Sequence, residues 1–303
     1  MAPPHQNHAL GIAMMLLGFF LFAANDALGK WLLATASVGQ LMLARAVVGL
    51  SVVGGLLAPA GLQPLRTQPR IGLQVVRGFL SAAESALFFW ALTFLPLADV
   101  MTYYLAGPIY VTALSPWLLG EHVGWRRWLA VIVGFIGVVI AIQPGQESFS
   151  WGALAALTGS FAYACFMVAT RKLAATDARV LMGWQLVAAL VVGLALLAVQ
   201  GWNPVRPIDL ALMAALGLGS LLGNSCVNIS LKLAPAAVVV PYQYSLIIWG
   251  VLMGYLVFGE VSDMPTFIGA AIIIAAGLFI FFREQHLRRQ AVRSPEPRPP
   301  ARG

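Results

Sequence analysis

The sequence predicts an all-α integral membrane protein with ten transmembrane helices, arranged as two inverted five-helix repeats around a central cavity. The prediction depends on the composition, on a series of membrane-length apolar runs and on an internal repeat. Of the 303 residues, 60% are hydrophobic and only 10% are charged, whereas a soluble globular protein carries about 25% charged residues. A chain this apolar cannot cover its surface with polar groups, so lipid is the expected surrounding.

The apolar residues occur in runs long enough to cross a bilayer, which takes about 20 residues of helix. Two runs carry isolated charges, and the others carry none. In chain order the runs are 10–33, 46–65, 71–95, 100–120, 128–146, 151–170, 180–205, 210–231, 233–259 and 264–282. They do not alternate apolar and polar residues as barrel strands do, and they therefore predict ten helices.

The formal net charge of +7 predicts a topology rather than nucleic-acid binding. If the N-terminus is cytoplasmic and ten spans follow, most of the 18 Lys and Arg residues fall in cytoplasmic loops and in the tail. This positive-inside bias predicts that both termini are cytoplasmic. The predicted division is a cytoplasmic N-terminus (1–9), a first five-helix repeat (10–146), an inverted second repeat (147–283) and a disordered basic tail (284–303).

The internal repeat is clearest in two stretches, "LPLADVMTYYLAGPIYVTALSPWLLGE" (95–121) and "APAAVVVPYQYSLIIWGVLMGYLVFGE" (234–260). Each runs from a proline to a Gly-Glu pair, and a tyrosine, Tyr103 or Tyr242, follows the proline by seven residues. Five spans is an odd number, so the second copy enters the membrane in the opposite orientation and places Glu121 and Glu260 at opposite faces. Inverted repeats are typical of secondary transporters, whose solute site lies between the halves.

Four motifs carry a family resemblance: "NDALGKWL" (25–32), "LPLADV" (95–100), "LLGEHVGWRRWLAVIVGFIGV" (118–138) and "FGE" (258–260). Through them nearly the whole chain resembles the EamA type of the drug/metabolite transporter superfamily. The resemblance implies a multi-pass transporter of the bacterial inner membrane, with structural roles for Glu121 and Glu260. YddG-like members export aromatic amino acids, which favours amino-acid export. The "DALGK" segment also resembles members that take up vitamins or S-adenosylmethionine, so uptake of such a metabolite is the alternative.

A few ionisable side chains lie within the predicted spans, where a charge costs about 2.5–3.5 kcal/mol on insertion scales. Asp26 and Lys30 are four residues apart and share one face of the first helix. They form either a local ion pair or the edge of the solute cavity. Arg45 and Glu84 lie on the next two spans and are expected to pair with each other, unless Glu84 titrates and couples transport to protons.

The remaining candidates are aromatic, amide and proline side chains within the spans. A tyrosine hydroxyl in hydrocarbon needs a partner, and a wet cavity supplies one, although helix packing is an alternative for each ring. The predicted solute-binding residues, besides Glu84, are Tyr103, Tyr242, Tyr244, Gln243, Asn224, Trp184 and Tyr163. Pro108 and Pro241 interrupt long spans and are predicted to act as kinks or hinges.

Neither an enzyme nor an ATP-driven pump is predicted. The four histidines lie at the termini or in a loop, and the sequence contains neither an HExxH motif nor a GxxxxGK phosphate loop. No cofactor or metal is expected, and a membrane-embedded enzyme or a structural subunit are the competing interpretations. The predicted partners are a small-molecule solute, the bilayer and protons, but not nucleic acid, and a monomer is compatible with the sequence.

Overall fold

The computed structural model describes residues 7–57, 69–120, 123–142 and 151–293, which are helical over most of their length and include no strand. The N-terminal half of these ranges contains α1 (His8–Leu32), α2 (Val38–Leu57), α3 (Ile71–Leu92), α4 (Leu97–Tyr104), α5 (Gly107–Leu118) and α6 (Trp125–Ile142). The C-terminal half contains α7 (Trp151–Lys172), α8 (Ala178–Gln200), α9 (Pro207–Leu233), α10 (Ala236–Val239), a 3-10 helix (Val240–Tyr244), α11 (Ser245–Phe258) and α12 (Met264–Arg293).

Within the described ranges, eight helical segments are long and apolar enough to cross a membrane. They are α1, α2, α3, α7, α8, α9, α12 and the 3-10 helix together with α11. The chain is therefore a multi-pass membrane protein, as its composition predicts. The predicted run 100–120 is divided between α4 and α5, and the run 128–146 overlaps α6, which has 18 residues. A total of ten spans stays a prediction.

Each half of the chain contains one broken span. In the first half, α4 ends at Tyr104 and α5 begins at Gly107, so Pro108 is the second residue of the new helix. Proline is tolerated there because the first helical N–H groups have no acceptor within the helix. In the second half, Pro241 is the second residue of the 3-10 helix between α10 and α11. Both prolines thus lie at breaks, and their role as hinges stays a prediction.

The helices of the first half pack mainly against helices of the second half. The most extensive pairs are α1 with α9, α2 with α8, α3 with α7 and α6 with α12. Small residues allow close approach: a Cβ added at Gly11 would lie 2.7 Å from the Cβ of Ala234, and one at Gly18 would lie 2.9 Å from the Cγ2 of Val227. Residues later in α1 contact residues earlier in α9, so the two helices are antiparallel.

The helix pairs keep the same pattern when the two halves are exchanged. If α1, α2 and α3 are matched to α7, α8 and α9, the pair α1–α9 corresponds to α7–α3, and the pair α3–α8 corresponds to α9–α2; all four pairs are in contact. Likewise, α1 packs on α11, while α7 packs on α4 and α5. The packing is therefore compatible with the repeat that the sequence predicts.

The repeated Gly-Glu pair coincides with helix ends. After α11, Gly259 adopts the left-handed conformation (φ 66°). The N–H of Gly259 donates to the carbonyl of Tyr255 at 3.0 Å, and the N–H of Glu260 donates to the carbonyl of Gly254 at 3.0 Å. Glycine is favoured in such a cap because it has no Cβ. Gly120, just after α5, has a similar φ of 67°, whereas Glu121 lies outside the described residues.

Candidate functional site

A cluster of charged side chains lies between α1, α2 and α3. Asp26, Arg45 and Glu84 each belong to one of these helices, and each is only half-buried although it lies within a membrane-length helix. The guanidinium of Arg45 interacts electrostatically with both carboxylates. We call these three residues the central cluster; it holds two acids and one base.

Arg45 is held by a neutral partner on a fourth helix. Its Nη2 donates to the Oγ of Ser220 on α9 at 3.0 Å, and its Cζ lies 5.2 Å from the centre of the Phe89 ring. The same Ser220 hydroxyl accepts from the Nδ2 of Asn25 at 3.1 Å. The structure therefore replaces the direct Arg45–Glu84 pair that the sequence predicts, because α9 brings a hydroxyl to the guanidinium while Glu84 acts on it at longer range.

Aromatic side chains from α4 and α7 flank Glu84. Its Oε2 accepts from the Oγ of Ser85 at 3.2 Å, and its backbone carbonyl accepts from the Tyr104 hydroxyl at 3.1 Å. The Tyr104 ring lies 6.2 Å from the half-buried ring of Tyr163. Two tyrosine side chains therefore lie on this side of the central cluster, and one of them is the predicted candidate Tyr163.

A second polar site joins the ends of α1 and α11 to the turn before α4. Lys30 forms an ion pair with Glu260, and its Nζ also donates to the carbonyl of Leu95 at 2.8 Å. The backbone N–H of Leu97 donates to the other carboxylate oxygen of Glu260 at 3.0 Å. We call this arrangement the Lys30–Glu260 link.

The link differs from a local ion pair between Lys30 and Asp26, which was one of the two alternatives that the sequence left open. Asp26 lies one helical turn before Lys30, where it interacts with Arg45. The lysine side chain instead meets the Glu260 carboxylate and the Leu95 carbonyl, which belong to other parts of the fold. A charged head on a flexible stem favours such a reach.

The predicted tyrosines near the two breaks are placed differently from one another. Tyr103 and Tyr244 are core residues, 5% and 7% exposed, and the Tyr244 hydroxyl packs against Gly277 of α12. Tyr242 is 38% exposed, and Gln243 is half-buried. A 3-10 helix has three residues per turn, so residues 242 and 244 face different directions. Within the described ranges, no hydrogen bond, ion pair or ring contact joins these side chains to the central cluster.

The last two predicted candidates lie on α8 and α9. Asn224 is exposed, and its Nδ2 donates to the carbonyl of Ser220 one turn earlier at 2.8 Å. Trp184 is half-buried, and its carbonyl would lie 2.8 Å from a Cβ added at Gly78, so it belongs to the tight α3–α8 contact. Asn224 thus lies next to the cluster's hydroxyl anchor, while Trp184 lies at a helix-packing surface.

Five side chains around the central cluster were not predicted as site residues: Asn25, Ser85, Phe89, Tyr104 and Ser220. Ser220 is separated from Ser81 by the repeat offset of 139 residues, and that match was its only signal. Tyr104 follows Tyr103 directly, and neighbours on a helix point about 100° apart, so periodicity alone does not say which of them faces the cluster.

Comparison with known proteins agrees with this architecture. The chain matches the EamA-like transporter family twice, over residues 9–143 and 150–282. One solved crystal structure matches 92% of this chain and 97% of its own chain, with a TM-score of 0.59 and 18% sequence identity. At that identity the likeness concerns the fold alone.

Three similar proteins are transporters that match almost end to end. The S-adenosylmethionine uptake transporter of Rickettsia felis is 25% identical, over 92% of this chain and 95% of the relative. The riboflavin transporter of Vibrio cholerae is 28% identical, over 91% and 94%. The pseudopaline exporter CntI of Pseudomonas aeruginosa is 26% identical, over 88% and 94%. With both halves matched, the chain belongs to the EamA-like transporter family.

Proposed function

We propose that the protein is a secondary transporter that moves a small metabolite across the bacterial inner membrane by alternating access, without ATP and without chemical change of the solute. The observation that carries this proposal is the central cluster. Asp26, Arg45 and Glu84 come from three apolar helices and keep part of their surface accessible. Charges within a membrane span are costly and typically serve function.

The two broken spans and the Lys30–Glu260 link support a gated pathway. Interrupted helices at corresponding positions of two halves commonly form transporter sites, and here the breaks follow α4 and α10. The link joins α1, α11 and the turn before α4. We assign it as the gate that closes one end of the pathway, and the inverted five-helix halves supply the matching gate at the other end.

The composition of the central cluster favours a solute with a cationic group and a ring. Two carboxylates interact electrostatically with one guanidinium, so an ammonium or sulfonium group gains a partner there, and Tyr104 and Tyr163 offer aromatic rings. An aromatic amino acid, exported, fits these features and is the first candidate. S-adenosylmethionine, taken up, is the second candidate. It carries a net positive charge, which matches the excess of carboxylates in the cluster. A similar protein is an uptake transporter for it.

A counterflow experiment tests the proposal. The purified full chain is reconstituted into liposomes preloaded with unlabelled tryptophan, S-adenosylmethionine or riboflavin, and the same labelled solute is added outside without ATP. We expect transient accumulation of one solute, recovered chemically unchanged, and none in protein-free liposomes. Flux that needs ATP, or a chemically altered product, would contradict the proposal.

A further inference from the structure

A surface groove opens between α6 and α12. The two helices approach most closely where a Cβ added at Gly269 would lie 2.6 Å from the carbonyl oxygen of Gly137. The groove lies beside this crossing, along the start of α6 and the later part of α12, where residues 125–133 and 275–283 supply its lining. The opening is a cavity of about 670 Å³. We call it the α6–α12 groove.

One end of the groove is cationic. Arg126 and Arg283 line the large cavity, and an adjoining cavity of about 340 Å³ is lined by both of them and by Arg127. No acidic residue lines either cavity in the described part of the chain. The Arg126 guanidinium lies 5.4 Å from the centre of the Trp125 ring, and tryptophan is typical of the level of lipid headgroups.

The remainder of the groove is apolar and open to the outside of the bundle. Leu129, Val133 and Phe279 line it, and each is about half exposed (51%, 46% and 48%). A small water-soluble anion gains no stabilisation from these apolar side chains, whereas an acyl chain buries apolar surface against them. The groove also shares no helix with the central cluster.

We propose that the α6–α12 groove binds one anionic phospholipid. Its phosphate lies between Arg126 and Arg283, because planar guanidinium groups match phosphate oxygens in geometry and charge. One acyl chain lies along Leu129, Val133 and Phe279. The lipid thereby fills the space between two helices that come from opposite halves of the chain.

The test measures lipid binding to the full-length protein purified in detergent. Phosphatidylglycerol and phosphatidylcholine with identical acyl chains are titrated separately, and bound lipid per chain is counted by native mass spectrometry. We expect one phosphatidylglycerol to be retained in preference to phosphatidylcholine. The double variant Arg126→Gln/Arg283→Gln should lower the affinity about 30-fold, and the single variant Arg126→Gln should lower it less.

Lys232→Gln is the matched control, because Lys232 is an exposed cation near the end of α9 and away from the groove; its lipid binding should equal that of the wild type. Glycerol phosphate, which has the charge without the acyl chains, should not compete. Equal retention of the two lipids, competition by glycerol phosphate, or unchanged binding in the arginine variants would overturn the proposal. If the protein forms a dimer that retains no lipid, the groove is an interface between two copies of the chain, and the lipid proposal is wrong.

Discussion

At the scale of single residues, the central cluster concentrates the charges that the apolar spans would otherwise exclude. Ser220 holds the Arg45 guanidinium and leaves the two carboxylates without a direct ion pair among the described residues. The acids are therefore available to a solute or to protons. Glu84 is the better candidate for coupling, because the hydroxyls of Ser85 and Tyr104 hold its side chain and backbone in place.

Replacing Glu84 by Gln should lower the rate of counterflow about 10- to 100-fold, the loss expected when a charged hydrogen-bonding group is removed. It should also flatten the dependence of flux on pH. Asp177→Asn is the matched control, since Asp177 is an exposed acid paired with Arg179 between α7 and α8. If Glu84→Gln transports like the wild type at every pH, Glu84 does not carry protons.

Replacing Tyr163 by Ala should raise the half-saturation concentration of the transported solute about 2- to 10-fold, which corresponds to the loss of one aromatic contact. The maximal rate should change less, because the charges remain. Tyr255→Ala serves as the control, since Tyr255 is 60% exposed on α11. An equal effect of both substitutions on half-saturation would show that Tyr163 matters only through packing.

The charged residues of the site could be predicted from the sequence, but their partners could not. Asp26, Arg45 and Glu84 stand out because charge is rare in the spans. Which of them meet depends on which helices are neighbours, and Ser220 is 175 residues from the arginine that it binds. Helical periodicity specifies the faces of one helix and carries no information about the helix opposite.

At the scale of helices, the Lys30–Glu260 link combines an ion pair with two backbone groups. The Leu95 carbonyl needs a donor, and the Leu97 N–H needs an acceptor. The polarity of the link is therefore fixed by the main chain, and exchanging the two charges does not recreate it.

The charge exchange Lys30→Glu/Glu260→Lys should behave like the single variants Lys30→Met and Glu260→Gln. In each, a cysteine introduced at Ser85 should react faster with a thiol reagent added on the side of the link, in a background where Cys165 and Cys226 are replaced. If the cysteine in the exchanged variant reacts as slowly as in the parent protein, the ion pair alone is enough to close the proposed gate.

The crossing of α6 and α12 depends on glycine. Gly269→Ala places a Cβ against the backbone of Gly137 and Ala141, and overpacking of this kind costs about 1–3 kcal/mol. Thermal unfolding in detergent should therefore occur at a lower temperature. Gly72→Ala, where a Cβ meets nothing within 4 Å, should leave the unfolding temperature unchanged or raise it. Equal unfolding temperatures for both variants would contradict close packing at the crossing.

At the scale of the whole molecule, composition and run length were enough to predict a multi-pass helical protein, because transfer into lipid depends on residue type more than on packing. The break at residues 105–106 was not predicted as two separate helices. The run 100–120 carries no charge, and a proline can kink a helix or begin a new one. Only neighbouring helices decide between these outcomes.

If the two halves are inverted, as the sequence repeat predicts, their ends lie on opposite sides of the bilayer. In a background without native cysteines, Gly124→Cys and Val261→Cys should react with a membrane-impermeant thiol reagent from opposite sides of the bilayer, Gly124→Cys from the cytoplasm. Both positions are exposed in the structure. Labelling of both from one side would refute the inverted arrangement.

The pairing of α1 with α9, α2 with α8, α3 with α7 and α6 with α12 has a consequence for biogenesis. A ribosome completes α1 to α6 before any of the partners α7, α8, α9 and α12 has been synthesised, so the N-terminal half at first lacks its main packing surfaces. We therefore expect these pairs to form only once synthesis has reached the C-terminal half. The two halves, produced as separate polypeptides in one cell, should associate into an active carrier, whereas either half alone should be degraded.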